Sequence, residues 1–377
     1  MMRSALRSLE LARIDIPFRL RFAHASAERD RTESVLVVAT TAAGAIGAGE
    51  GCPRSYVTGE DRTSVERFFD AHADAILEEV CDSESLRGFV ESRRAEIDAH
   101  PAAWCAIELA LLDVLARERE QSVEAALGLP ELTGSFQYTA VLGDSEPDAF
   151  ERLLGLYRAA GFRDFKLKLS GELGRDRAKL ASFRDRPDER VRVDANNLWP
   201  DADTASRHLE ALAHPFTGIE EPIAAGRFDE LAALADRMGT PIILDESLLR
   251  AETIAKLPGP SEHWIANLRV SKLGGLLRSL EVAREARRSG VRIVVGAQVG
   301  ETSLLTRAAL PVARAAGHLL VGQEGAFGPL LLERDPCAAP LVFGDGGRLE
   351  APTTGVGLGL SIIDDDAWST TLRRASR

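Results

Sequence analysis

Phe165-Lys166-Leu167-Lys168-Leu169 sets two lysines one apolar residue apart inside an alternating run. Alternation predicts a β-strand, in which residues i and i+2 share a face and lie roughly 7 Å apart at Cα. Lys166 and Lys168 therefore project side by side. Ammonium groups that close repel, and partial desolvation adds to the effect, so the pair predicts a lysine able to act as a base near neutral pH. The plainer alternative is an edge strand whose two solvated lysines guard against aggregation. What separates the readings lies downstream.

After a break at Gly128-Leu129-Pro130, short apolar strands alternate with amphipathic segments of helix length. The strands are expected at 137–142, 164–169, 191–194, 218–221, 242–245, 264–270, 292–297 and 319–323. A strand-helix repeat of about 25 residues means parallel strands joined by helical crossovers, and eight of them predict a closed barrel. An open doubly wound sheet would carry a glycine-rich first turn, and none follows Val141.

Upstream, strands over 9–18 and 34–40, with a third ending near residue 50, predict an antiparallel meander, and helices are expected over 62–120. Together they form an α+β domain over 1–130, ahead of a barrel over 131–330 and a C-terminal segment over 331–377. Two polar loops, His24-Ala25-Ser26-Ala27-Glu28-Arg29 and Gly51-Cys52-Pro53-Arg54-Ser55-Tyr56, are candidate substrate-facing segments, which nominates His24, Arg54 and Tyr56. Gly47-Ala48-Gly49-Glu50-Gly51 is not read as a nucleotide loop, because no helix and no Gly-Lys-Ser/Thr follow it.

Composition narrows the partners. Acidic residues outnumber basic ones 58 to 46 for a net charge of -12, which disfavours nucleic acid. No apolar run is long enough to span a bilayer and no signal sequence is evident. The four cysteines form no Cys-x-x-Cys, so neither disulfides nor structural zinc are expected, and a cytoplasmic location is.

The chemistry is expected at the C-terminal strand ends. Three consecutive strands end in acids: Asp194 in Arg-Val-Asp-Ala-Asn, Glu220 in Ile-Glu-Glu-Pro and Asp245 in Ile-Leu-Asp-Glu-Ser, at intervals of 26 and 25 residues. Each alone would pass for a helix cap. In phase, they predict acids at equal height that repel unless a cation joins them, and oxygen-only ligation suits Mg²⁺. Periodicity leaves open whether Glu220 or Glu221 is the one used.

The order Lys-x-Lys, Asp-x-Asn, Glu-Glu-Pro, Asp-Glu-Ser and Lys-x-Gly-Gly, closed by Gly355-Val356-Gly357-Leu358-Gly359, resembles the enolase superfamily, within it the muconate-lactonizing-enzyme and mandelate-racemase-like branch. The resemblance implies a modified TIM barrel of (β/α)7β type whose C-terminal segment returns to the cap. It implies Asp194, Glu220 and Asp245 as ligands of one Mg²⁺ with Mn²⁺ as a substitute, Lys168 as proton-abstracting base, Lys166 beside it lowering its pKa, and Asn196 facing the substrate. Glu301 falls near the usual acid of the seventh strand. The substrate would be a small carboxylate and the protein a homo-oligomer.

One position departs from the pattern. Members related to the muconate enzymes carry a lysine five residues before the Gly-Gly, where this chain has Arg269. An arginine keeps its proton and cannot be a second base, although it can clamp a carboxylate. Lys272 is expected to face away from it across the strand. One-base cycloisomerisation or syn elimination is therefore expected, with racemisation or epimerisation as the alternative and a non-catalytic acid sensor as the reading from another class.

Overall fold

The computed structural model describes residues 5–24, 27–352, 355–363 and 369–377; the side chains of 20–29 and 369 lie outside the description. The N-terminal part is a hairpin-bearing meander: β1 (Leu6–Ile14), β2 (Pro17–His24), β3 (Ala27–Arg31), β4 (Ser34–Thr41) and β5 (Ile46–Gly51). Of the segment expected as a polar loop, His24 ends β2 and Ala27, Glu28 and Arg29 lie in β3, which pairs antiparallel with β2. Four helices follow, α1 (Arg62–Glu79), α2 (Ser83–Ser92), α3 (Arg94–Ala99) and α4 (Pro101–Glu118), then the short α5 (Val123–Leu127), which ends at Gly128 in a left-handed conformation.

Helix α4 is buried along almost its whole length, and β5 explains how. Gly47, Gly49 and Gly51 occupy alternate positions of that strand, so they share one face. A Cβ on each would come within 2.3 Å of Val114, 2.3 Å of Ala106 and 2.1 Å of Ala102, all in the α4 backbone. The glycine run is a bed for a helix. At the other edge of this sheet, β16 (Ser369–Ser376) pairs antiparallel with β1, giving the order β16-β1-β4-β5.

The expected strand over 137–142 is two pieces. β6 (Ser135–Gln137) pairs with β15 (Arg348–Glu350), and β7 (Ala140–Leu142) opens the barrel. The barrel strands continue as β8 (Asp164–Lys168), β9 (Arg190–Asp194), β10 (Gly218–Glu220), β11 (Ile242–Leu244), β12 (Trp264–Leu268), β13 (Arg292–Val295) and β14 (Leu320–Gln323), each parallel to the one before. Thr139 N donates to the Gln323 carbonyl at 2.7 Å and links the first strand's edge to the last.

Helices α6 (Pro147–Ala159), α7 (Leu173–Ala181), α8 (Ala202–Leu212), α9 (Phe228–Met238), α10 (Ala251–Ile254), α11 (Val270–Leu273) with α12 (Leu276–Arg288), and α13 (Ser303–Ala316) supply the crossovers. Between β14 and β15 the described chain has only short 3-10 turns, so strand eight has no helix of its own. This is the expected (β/α)7β pattern.

Inside the barrel Ile243, Ile265 and Val294 form a small apolar cluster of their own. Two residues further along the same strands stand Asp245, Asn267 and Gly296, which period-two alternation turns to the same interior. The cap docks through polar insertions: Glu108 of α4 accepts from Leu277 N at 3.0 Å, and Glu50 of β5 accepts from Thr302 N and Oγ1 at the start of α13.

Candidate active site

Strand register sets the level of the site. Lys168 is the pairing partner of Asp194, and Asp194 that of Glu220. Glu220, however, pairs with Ile243, so Asp245 stands two residues beyond that level. The expected equal height thus holds for two acids and not for the third, as the stagger of a closed barrel requires.

Four cationic side chains thread these acids. Lys166 Nζ lies 2.7 Å from Glu220 Oε2, 3.1 Å from Asp194 Oδ2 and 3.3 Å from Glu324 Oε2. Lys168 Nζ donates to Asp194 Oδ2 at 3.0 Å and to Asn196 Oδ1 at 2.6 Å. Burial alone would lower the Lys166 pKa, but Asp194, Glu220 and Glu324 outweigh it and hold the ammonium above its ordinary value. The expectation that the lysine pair favours the neutral amine is corrected for Lys166, because the Asp194, Glu220 and Glu324 carboxylates around it stabilise its ammonium.

Arg269 follows β12 in extended conformation, and α11 begins at the next residue. Helical period replaces strand period there, so Lys272 at i+3 returns to the same side. Arg269 Nη2 meets Asp245 Oδ2 at 2.6 Å while Lys272 Nζ donates to Asp245 Oδ1 at 2.8 Å and to the Asp245 carbonyl at 2.7 Å. Lys272 therefore does not face away from Arg269, and both clasp one carboxylate.

Of the adjacent acids, Glu220 enters the barrel and accepts from Asn267 Nδ2 at 3.1 Å. Glu221, at φ +36, turns outward and accepts from Asp245 N at 2.7 Å, Ser247 N at 2.8 Å and Ser247 Oγ at 2.9 Å. It fixes the loop that presents Asp245. A glutamate in the left-handed region is costly and persists only where its surroundings over-determine it, as these three bonds do.

The donor set fits a hard divalent cation. It is carboxylate oxygen with neither sulfur nor imidazole. Glu220 Oε2 and Asp245 Oδ2 are buried and accept no aligned hydrogen bond, although Lys166 and Arg269 nitrogens stand beside them. Burial and the neighbouring carboxylates push Glu220 up to about 8 against the pull of Lys166, whereas the cations beside Asp194 and Asp245 outweigh burial and hold both below the usual carboxylate range. Among the described residues no three acidic, histidine or cysteine side chains close around one point, because the Lys166 and Arg269 nitrogens stand between them.

A cavity of about 460 Å³ opens over these strand ends. Of the residues singled out in the sequence, Lys166, Lys168, Arg269, Glu301, Asn196 and Tyr56 line it. Burial pushes Glu301 up to about 8. Arg54 does not line it: its guanidinium is buried against the carbonyls of Pro53, Thr32 and Val299, where it ties a cap loop to the turn after β13. His24 ends β2, and its side chain lies outside the described residues. Glu246, Gln298 and Glu324 also line the cavity and were not foreseen. Glu324 lies two residues beyond Gly322 on the interior face of β14, a parity that a period-two count past the last strand would have shown.

Residues 149–367 match the family described as Enolase C-terminal domain-like, and residues 9–128 match the Mandelate racemase / muconate lactonizing enzyme N-terminal domain. The chain belongs to this branch of the enolase superfamily. It is 28% identical over 373 residues to muconate cycloisomerase 1 of Acinetobacter baylyi, covering 95% of this chain and 97% of that protein. It is 25% identical over 311 residues to the N-succinyl-L-Arg/Lys racemase of Bacillus cereus, covering 81% and 83%. The fold superposes with a TM-score of 0.80 on a dipeptide epimerase from Enterococcus faecalis complexed with Mg and the dipeptide L-Leu-L-Tyr, at 23% identity over 96% of this chain and 100% of that one. The chain is thus an enzyme of the superfamily whose relatives are isomerases.

Proposed function

We propose that this enzyme removes the proton α to a carboxylate with Lys168 and completes an isomerisation or a syn elimination on the same face of the substrate. The observation that carries the one-base reading is Arg269. Strands β8 and β12 are the second and sixth of eight, so their ends oppose each other across the cavity. Lys168 reaches it from one side and a guanidinium from the other, while the nearest lysine on that side, Lys272, is fully buried and spent on Asp245 and the Asn267 carbonyl. A guanidinium cannot accept the proton, but it can neutralise charge that develops on the substrate carboxylate.

Asp194, Glu220 and Asp245 would hold Mg²⁺, or Mn²⁺ in its place. Bound there, the cation supplies Lewis-acid stabilisation of that same charge. Asp194 and Asn196 fix the Lys168 amine at the cavity wall, and Glu221 holds the Asp245 loop in place. A second reading, epimerisation, draws on Glu301. Its raised pKa leaves it protonated near neutral pH, so it is a candidate second proton donor at the cavity wall. Turnover in deuterium oxide tests the choice: label entering with one configuration supports the one-base reading, and label in both supports epimerisation.

A further inference from the structure

The cavity is polar at one end only. Its charged lining residues sit at the barrel strand ends and in the loops just beyond them, whereas most of its large apolar lining residues come from α6 and from the chain after β14. Leu153, Leu156 and Tyr157 stand at i, i+3 and i+4 of α6, which puts them on one stripe. Phe327, Leu330 and Phe343, in the segment that takes the place of an eighth helix, line the same cavity. The wall is stiff: ring centroids run 5.1 Å from Tyr157 to Phe162, 5.1 Å from Phe162 to Phe343 and 5.4 Å from Phe343 to Phe327. Yet Leu156 is 64% exposed and Leu330 55% exposed, so two large apolar side chains at this end face outward.

We infer that the substrate is a monocarboxylate with a large uncharged apolar tail, the tail lying between α6 and residues 327–343. This rests on the α-proton reading for the carboxylate end. Lys166, Lys168 and Arg269 supply the positive charge at that end. Among the described residues no charged side chain lines the tail end, so the second carboxylate of a diacid or the ammonium of a peptide would be desolvated there without a partner, at a cost that apolar contact cannot offset. An alkyl or aryl group gains on transfer from water.

The test is calorimetric titration of the Mg²⁺-loaded enzyme with straight-chain monocarboxylates from butanoate to decanoate and with the α,ω-dicarboxylates of equal length. Monocarboxylate affinity should rise about fourfold per added methylene until the cavity is filled, and the diacids should not follow. In Leu156→Asp and in Leu330→Asp, both at exposed sites that tolerate a polar residue, decanoate should weaken about tenfold, with the effect fading toward butanoate. Exchange of the α-proton by the same acids in deuterium oxide scores the chemistry separately. Binding that rises with chain length supports the tail site whether or not exchange occurs, and exchange absent from every acid counts against proton abstraction alone. Diacids binding as tightly as monoacids, or an unchanged chain-length dependence in both aspartate variants, would overturn the proposal. So would a dimer that Leu156→Asp dissociates while that dependence stays intact, because the patch would then belong to a second copy of the chain.

Discussion

Arg269 Nη2 lies 2.6 Å from Asp245 Oδ2, which ties the cation of the sixth barrel strand to the acid of the fifth. Lys272 grips the other oxygen of that acid, so one buried carboxylate carries two cations. An amine in place of Arg269 could give up its proton to ease this crowding; a guanidinium cannot. The site is therefore biased toward a permanent positive charge opposite Lys168.

The first prediction concerns Asp245. Asp245→Asn should abolish the heat of Mg²⁺ binding in calorimetry, and it should also lower stability by about 3 kcal/mol in urea titration, because Arg269 and Lys272 lose their shared counter-charge while buried. Unchanged Mg²⁺ affinity in this variant would remove Asp245 from the ligand set.

Lys168 provides the second. Its amine lines the cavity and is oriented by Asp194 and Asn196. Lys168→Ala should stop α-proton exchange in deuterium oxide, and Lys168→Arg should also fail, since a guanidinium does not accept the proton. Exchange surviving in either variant moves the base elsewhere, with Glu301 next to be tested.

A third prediction follows from close packing under the acids. A Cβ at Gly296 would stand 2.1 Å from Asn267 Oδ1, and Asn267 Nδ2 bonds Glu220 Oε1 at 3.1 Å. Gly296→Ala should push Asn267 off Glu220 and slow exchange about tenfold or more. Gly88→Ala, where a Cβ meets nothing within 4 Å, is the matched control and should leave the rate alone. Equal rates for parent and Gly296→Ala would show that Asn267 has no part in positioning Glu220.

Period-two reading was enough to find Lys166, Lys168 and Asp194, because all three lie on regular strands whose alternate positions face inward. It failed wherever the period changed. Lys272 was misplaced because the strand ends at Leu268 and a helical turn starts at Val270, a boundary that Arg-Val-Ser-Lys does not advertise. Arg54 looked like a loop residue free to meet substrate, and only the folded chain brings the Val299 carbonyl to it. The glycines of β5 carry no motif, since their purpose is the α4 backbone, which is remote in sequence. Glu221 could not be told from Glu220 by counting, and the three donors that claim it come from the next strand's loop.

The fourth prediction is a pH dependence at the cap–barrel junction. Burial pushes Glu50 up to about 7 despite its bonds from Thr302. Between its ordinary value and about 7 the folded protein holds a proton that the unfolded chain has released, so Glu50 makes stability fall as pH rises through that window. The full effect is on the order of 3 kcal/mol. Glu50→Gln can still accept from Thr302 N and cannot ionise. Its stability relative to the parent should therefore improve from pH 5 to about pH 7 and level off above that in urea titrations. Parallel curves for the two proteins would show that Glu50 does not titrate in this range.

The last prediction returns to Arg269. With Lys168 as base on one side of the barrel and an arginine on the other, the parent should place deuterium with a single configuration at the α-carbon. Arg269→Lys keeps a cation within reach of Asp245 but shortens the planar fork that also meets Gln298 Oε1 at 3.1 Å. A lysine can release its proton where the arginine cannot, because burial in this cavity favours the neutral amine even as Asp245 opposes it. The variant should thus retain Mg²⁺ binding, lose some of the parent turnover, and acquire label at both configurations. Stereochemical analysis of the recovered substrate after partial reaction measures this directly. If the unaltered enzyme already incorporates label at both configurations at comparable rates, a second acid/base stands opposite Lys168. Glu301→Gln would then be expected to remove one of the two labelled forms and leave the other.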